Sequence, residues 1–455
     1  MNADTVLLAG GPVVTVDGDN TVHDPGWILV EGRDIAAVGS GEAPPQVRQR
    51  AGRTIDTSGR AVMPGMTNGH THLFQTFFRG LADDKPLLQW IKDCIWPGAV
   101  HLDARTAGLA ATLGLAENLR TGATTVVDHQ YVHVDPAIDD AVCEAADRLG
   151  IRFLLARGWA DRNYEPRLME TTEQILERAD EVRSRWHGQR GDRIRVGLAP
   201  LIPWGCSDDA MHATVGAARS WGGGTHIHCA ETAEEIEISL EERGLRHVEW
   251  LDHLGLLGPD VQLAHSVWLD DDELDTVADR GAVVVHCPVS NMYLASGVPR
   301  IVEMRERNIP IALASDGPGS NNRQDMFEVL KHTVLLQKVS RLDAMALQPE
   351  DALEMACRGG QAVWGPEIGS ITAGSRADLV VVDLRSVFVA PVHRVASALV
   401  FCATPAQVTH VMVDGAVVLD EGQLVTVDES ALIEEAERAA RDLWGRAAVD
   451  SRLSR

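Results

Sequence analysis

The strongest constraint on the fold is an alternation that runs through the middle of the chain. Short β-branched or apolar runs recur between helical stretches from about residue 62 to 371. The runs are Ala61-Val-Met-Pro, Ala123-Thr-Thr-Val-Val-Asp, Ile151-Arg-Phe-Leu-Leu-Ala, Ile194-Arg-Val-Gly-Leu-Ala, Thr225-His-Ile-His, Val261-Gln-Leu-Ala-His, Ala282-Val-Val-Val-His and Ile311-Ala-Leu-Ala-Ser-Asp. Between them lie helical patterns such as Ala107 to Leu119 and Met169 to Ser184. Strands that alternate with helices pair in parallel, because the helix carries the chain back to the starting edge. Eight such units predict an α/β fold, a (β/α)8 barrel over residues 62–371. Residues 1–61 and 372–427 read instead as short strands broken by Gly-rich turns, predicting a small β-sandwich formed from both chain ends. Residues 428–455 predict a C-terminal helix and tail.

In such a barrel the chemistry sits at the C-terminal ends of the strands, and polar residues collect there. His70 and His72 close the first run. Successive odd positions on a strand face one side, so both rings can reach one ion. His228 and Glu231 follow in His226-Ile-His-Cys-Ala-Glu231, His265 ends the sixth run, His286 the seventh, and Asp316 the eighth. Neutral imidazoles with a carboxylate suit Zn(II) or Fe(II), and a coordination position left for water makes such a site catalytic. Glu231, three residues past His228, is free to carry protons. His226 shares a face with His228, and the spacing to Glu231 favours His228. A two-metal site needs a bridging anionic ligand, often a modified Lys from a central strand. Arg193-Ile-Arg-Val-Gly-Leu-Ala-Pro200 has no Lys, so one divalent ion per chain is expected.

Charge narrows the partners. With 41 Lys and Arg against 66 Asp and Glu, the formal net charge is −25. Phosphate backbones and anionic membranes require clustered cations, so neither nucleic acid nor membrane is expected as partner. No run is long and apolar enough for a membrane span. Seven scattered cysteines without a Cys-x-x-Cys fit reduced thiols. The opening Met-Asn-Ala-Asp-Thr-Val-Leu-Leu lacks a basic segment followed by an apolar one. A cytoplasmic protein is expected.

Six segments carry a resemblance to the amidohydrolase superfamily, within it to the cytosine-deaminase-like branch of aminohydrolases and triazine hydrolases. They are Met63-Pro-Gly-Met-Thr-Asn-Gly-His-Thr-His72, His228-Cys-Ala-Glu231, Ala264-His265, His286-Cys-Pro-Val-Ser-Asn-Met-Tyr-Leu-Ala-Ser-Gly297, Ser315-Asp-Gly-Pro-Gly-Ser-Asn-Asn322 and Ile368-Gly-Ser-Ile-Thr-Ala-Gly-Ser-Arg-Ala-Asp-Leu379. The resemblance implies His70, His72, His228 and Asp316 as metal ligands, Glu231 as proton carrier and His265 as the group that orients the attacking hydroxide. It implies that Asp316 also takes a proton from the attacking water. It further implies a hydrolase that deaminates cyclic amidines, acts on a small heterocycle and forms homo-oligomers.

For the substrate, Gln75, Trp90 and Trp96 are candidates to hold a flat ring, Arg157 to meet an oxo group, and His286 to line the interior. The loop after the first strand resembles the oxidised-purine and pterin deaminases. The reading placed first is therefore an amino-substituted ring of the 8-oxoguanine, isoxanthopterin or triazine type. A methylthioadenosine/S-adenosylhomocysteine-type adenosine deaminase comes second. A triazine chlorohydrolase, a two-metal cyclic amidase and a non-catalytic structural relative are the remaining alternatives.

Overall fold

A computed structural model describes residues 5–81 and 83–447. The first four residues of the N-terminal reading, and the tail beyond 447, lie outside the described residues. One compact unit comprises Met1–Asn68, Ala116–Thr125 and Asp325–Asp428, the other Gly69–Leu115, Val126–Gln324 and Glu429–Arg455.

An eight-stranded sheet is built in chain order from Met66–Thr71, Ala123–Gln130, Arg152–Trp159, Ile194–Pro200, Thr225–Cys229, Val261–His265, Val283–His286 and Ile311–Leu313. Registers from Arg152–Trp159 onward are parallel. The last strand returns to the first, where Asp316 N donates to the His70 carbonyl oxygen at 3.0 Å. A Cβ on Gly69 would meet the Leu313 oxygen and the Ala312 methyl at 3.2 Å, so glycine permits that approach. The strands are buried along their length, which is why they read as continuous apolar runs rather than alternating ones. Helices return between them. Thr172–Trp186 buries Ile175, Ala179 and Val182, one face of a 3.6-residue period. It begins at a capping box in which Thr171 accepts from Gln174 N while the Gln174 side chain accepts from Thr171 N.

One strand differs from the sequence reading. The run Ala61–Pro64 does not start the barrel. The strand Arg60–Pro64 pairs antiparallel with Leu379–Asp383 in a seven-stranded sheet, and the first barrel strand is Met66–Thr71. The apolar run is continuous across the change, so composition conceals it. The break falls at Gly65, where a Cβ would sit 2.0 Å from Thr124 Oγ1. A smaller sheet holds Asp34–Ser40, Gly26–Glu31, Thr5–Ala9 and Arg53–Asp56. Alternation explains its packing. Val6, Leu8, Ile28 and Val30 join Val62, Leu379 and Val381 of the larger sheet in one core. Leu7 and Leu29, facing the other way, pack on Ala43 and Val47. Strands from both chain ends thus share one sandwich core. No helix among the described residues is long and apolar enough to cross a membrane.

Candidate active site

The strand ends bring the charged and imidazole residues together at the floor of one pocket. His70, His72, His228, Glu231, His265 and Asp316 are all buried. His70 Nε2 lies 3.3 Å and His72 Nε2 3.4 Å from Asp316 Oδ1. His228 Nε2 is 3.3 Å from His72 Nε2. His265 Nε2 stands 3.5 Å from Glu231 Oε2 and 4.0 Å from Asp316 Oδ2. His265 and Asp316 both have positive φ, 71° and 61°, a conformation that costs non-glycine residues roughly 1–3 kcal/mol each. It turns these side chains at the strand ends.

This donor set fits a divalent cation. His72 Nδ1 donates to the His129 carbonyl oxygen at 2.7 Å, and His228 Nδ1 donates to that of Leu201 at 2.6 Å. A neutral imidazole has one proton, so both Nε2 atoms are bare and their lone pairs face each other. A cation between them removes that repulsion. Buried His70 Nε2 has no hydrogen-bond partner of its own. Burial, the largest cause, holds His70 and His228 well below, and His72 below, the usual imidazole range, and neutral imidazole is the form that binds metal. Burial alone would raise the Asp316 carboxyl. The adjacent His70 ring, 3.3 Å away, and the other surrounding imidazoles outweigh burial and hold it well below the ordinary value.

Glu231 is the opposite case. Burial raises its pKa, the negative charge of Asp316 adds to that, and His265 and the Ser296 hydroxyl oppose it. His265 is lowered by burial but raised more by the neighbouring Glu231 and Asp316 charges. The site therefore pushes two neighbouring carboxyls in opposite directions, Asp316 down and Glu231 up, the kind of split that separates acid and base roles.

Serines that the sequence reading did not single out support both acids. Ser290 Oγ and Ser320 Oγ donate to Asp316 Oδ2 at 2.6 and 2.9 Å, and Gly317 N donates to Oδ1 at 2.6 Å. Ser296 Oγ donates to Glu231 Oε1 at 3.1 Å. Their only sequence signal is position, in loops that follow the seventh and eighth strands. Tyr164, from the loop after the third strand, lines the pocket and was likewise missed.

The pocket holds about 420 Å³ of empty space, part of it open to solvent. Gln75 and Trp90 line it as expected, with Tyr131, Tyr164, Leu201 and Leu294. Both expected substrate contacts are already engaged. Gln75 Oε1 accepts from Gly319 N at 3.2 Å, its Nε2 donates to the Tyr131 hydroxyl at 3.2 Å, and Trp90 Nε1 donates to the Gly319 oxygen at 3.2 Å. They brace the loop that carries Asp316, where a Cβ on Gly317 would come within 2.1 Å of Gln75 Oε1. Trp96 stands behind the pocket wall, its ring edge-on to Tyr164 at 5.1 Å. His286 is fully buried outside the pocket wall, with neither ring nitrogen hydrogen-bonded. Burial lowers it to about 3.

Arg157 corrects the sequence reading more sharply. It does not reach the pocket. Its Nε donates to Asp139 Oδ2 at 3.0 Å, and Nη1 and Nη2 to the two oxygens of Glu170 at 3.0 Å each. A wholly buried guanidinium must satisfy its donors inside the protein, and two carboxylates do so. Removing it strips two buried acids of their shared guanidinium and leaves Asp139 only His133 and Glu170 only Arg178, so Arg157→Ala is expected to destabilise the fold by about 3–5 kcal/mol. Thermal melting of the variant checks this. A variant that melts like the wild type but has a raised KM would return Arg157 to the substrate.

Asp128 offers a second test of buried charge. Its Oδ1 accepts from Leu73 N at 2.8 Å, starting the turn after His72, while Oδ2 has no partner. Burial pushes its carboxyl up to about 8 from 3.8. A folded-state pKa above the unfolded one means the native state holds more protons, so stability falls as pH rises between those values. Asp128→Asn, which mimics the protonated form, is expected to melt with a shallower decline as pH rises from 3.8 to about 8. Parallel melting curves of variant and wild type would refute the assignment.

Comparison with known proteins agrees with this geometry. The chain is 35% identical over 447 residues, 98% of its length and 100% of the other's, to a 5′-deoxyadenosine deaminase of Methanothermobacter thermautotrophicus. It is 34% identical over 442 residues, 97% of this chain and 99% of the other, to a 5-methylthioadenosine/S-adenosylhomocysteine deaminase of Pelotomaculum thermopropionicum. An adenosine deaminase from Xanthomonas campestris, crystallised with bound zinc, superposes with a TM-score of 0.90 at 30% identity, covering 97% of this chain and 98% of that one. The sequence pattern of the amidohydrolase family matches residues 61–418, a span that includes every strand of the barrel and every charged group of the site, and the chain belongs to that family.

Proposed function

We propose that the protein is a metal-dependent hydrolytic deaminase of neutral adenine nucleosides altered at the 5′ position. The observation that carries this reading is the convergence of His70, His72, His228 and Asp316 beside Glu231 and His265, with the Asp316 carboxyl held well below its ordinary range and that of Glu231 raised. Full-length likeness to deaminases of 5′-deoxyadenosine and methylthioadenosine supports the substrate class. It favours the second substrate reading of the sequence over the oxidised-purine one. The engagement of Arg157 points the same way, since it removes the cation that was to meet an oxo group. The described pocket wall contains no Lys or Arg, which suits a substrate without phosphate. Its Leu87, Ile91, Leu201, Ile202 and Leu294 suit an apolar 5′ group, and Trp90, Tyr131 and Tyr164 a flat base.

His70, His72, His228 and Asp316 would hold one divalent ion, Zn(II) or Fe(II), by their donor chemistry. Bound there, the ion supplies a nucleophilic water at neutral pH by lowering its pKa toward about 7. Asp316 takes a proton as the water oxygen bonds to C6 of the base. Glu231 gives its proton to N1, so the electron pair of the opened C6–N1 π bond is neutralised there. The tetrahedral carbon then expels the amine, which takes up the proton gathered by Asp316 and leaves as ammonia, while the C6 hydroxyl returns its own proton to Glu231 as the carbonyl forms. His265 orients the water between the two acids. Glu231 also favours deamination over dechlorination, because chloride leaves without a proton.

The test is ammonia release from 5′-deoxyadenosine, methylthioadenosine, adenosine and 5′-AMP, alongside guanine-type, pterin and triazine rings. The nucleosides are expected to react. AMP is expected to fall at least roughly a hundredfold in kcat/KM, because the described pocket wall offers its phosphate no Lys or Arg. Ammonia from the oxidised purines or pterins alone would overturn the nucleoside reading.

A further inference from the structure

The three imidazoles of the metal centre are not oriented in the same way. His72 and His228 each donate from Nδ1 to a main-chain carbonyl, an acceptor that cannot become a donor. His70 has no such anchor. Its Nδ1 lies 2.7 Å from Nε2 of His226, and His226 Nδ1 lies 2.9 Å from Oε1 of Gln262. All three side chains are buried, with 0%, 1% and 8% exposure. Strand pairing builds the arrangement, since His226 and Gln262 are direct register partners on adjacent strands.

Proton counting fixes the state of this series. His70 Nε2, the atom 3.3 Å from Asp316 Oδ1, can bind a cation only when it is bare. The proton of His70 is then on Nδ1, which must donate to His226 Nε2. That nitrogen must be bare in turn, placing the His226 proton on Nδ1. It needs an acceptor there, and Gln262 Oε1 is one. If Gln262 presented its NH2 group instead, each proton would shift to the opposite nitrogen, and His70 would turn an N–H toward the cation.

We infer that Gln262 is a positioning residue that sets the tautomer of His70 through His226, and so sets the affinity of the site for a divalent cation. The inference rests on the metal site proposed above. It gives His226, the candidate that ranked below His228, a place behind the ligands. Partners that orient a ligating histidine change metal affinity roughly 10–100-fold when lost.

The experiment measures the zinc dissociation constant of the full chain by competition with a chelator, for wild type, Gln262→Met and Gln262→Glu. Melting of the metal-free proteins is followed in parallel. Met keeps the volume but offers no acceptor, and is expected to weaken zinc roughly 10–100-fold. Glu keeps an acceptor and cannot donate, and is expected to stay within about threefold of wild type. A packing role predicts the reverse order, because Glu would bury a charge and Met would not. Equal affinity in wild type and Gln262→Met, or equal loss in both variants, would overturn the relay. Absence of zinc binding in the wild type would overturn the metal site itself. Imidazole nitrogen NMR of metal-free wild type tests the relay even if Gln262→Met fails to fold. Nδ1–H tautomers for both His70 and His226 are expected, and an Nε2–H tautomer at His70 refutes the inference.

Discussion

Glu231→Gln is expected to lower kcat roughly 10³-fold while zinc content and KM stay close to wild type. Gln fills the same volume and can still accept from Ser296, whose hydroxyl lies 3.1 Å from Oε1. It cannot release a proton to a ring nitrogen. The pH profile carries the same information with a definite sign. The working form of Glu231 is the protonated one, and burial raises its pKa. Activity should therefore be lost as pH rises through that raised value, on the alkaline limb of kcat/KM, and this limb should be absent from whatever activity the Gln variant retains. Turnover surviving in Glu231→Gln would remove the residue from the proton path and leave His265 as the group to test next.

His228→Ala is expected to abolish both zinc retention and turnover. The ring donates from Nδ1 to the Leu201 oxygen and presents a bare Nε2 3.3 Å from that of His72. Removing it takes away one of four proposed donors. Zinc per chain after exhaustive dialysis should fall below about a tenth of the wild-type content, because a ligand itself is lost. Wild type stripped by chelator should regain activity on adding zinc, and the variant should not. Full zinc occupancy in His228→Ala would overturn the ligand assignment. The melting temperature separates metal loss from misfolding. Ligand-linked stability disappears with the ion, so the variant should melt near the metal-free wild type rather than below it.

Much of the barrel was legible because a parallel strand covered on both faces must be apolar along its length. Arg152–Trp159 and Ile194–Pro200 announced themselves in this way. The site was legible for a related reason: a charged or imidazole residue that ends an apolar run stands out against it, as His265 and Asp316 do. The same logic misassigned Ala61–Pro64, since an apolar run says that a strand is buried and not which sheet buries it. Pairing with Leu379–Asp383, more than 300 positions away, decided that.

Side-chain partners were the other blind spot. Arg157 ends a strand as a ligand-binding residue would, yet each of its three nitrogens donates to Asp139 or Glu170. Gln75 and Trp90 reach the pocket but spend their hydrogen bonds on the Asp316 loop. His226 and His228 share a strand face, and nothing in their spacing assigns one to the ligand cluster and the other to the back of His70.

The order of the strands and the polar residues that close them were thus determined by the sequence itself, because periodicity and burial act over a few neighbouring residues. Tertiary structure alone decided which carboxyl is ionised and which nitrogen is bare. Those states depend on desolvation and on partners brought from distant strands, as when Ser290 and His70 converge on Asp316. No local pattern encodes a field that exists only once the barrel has closed.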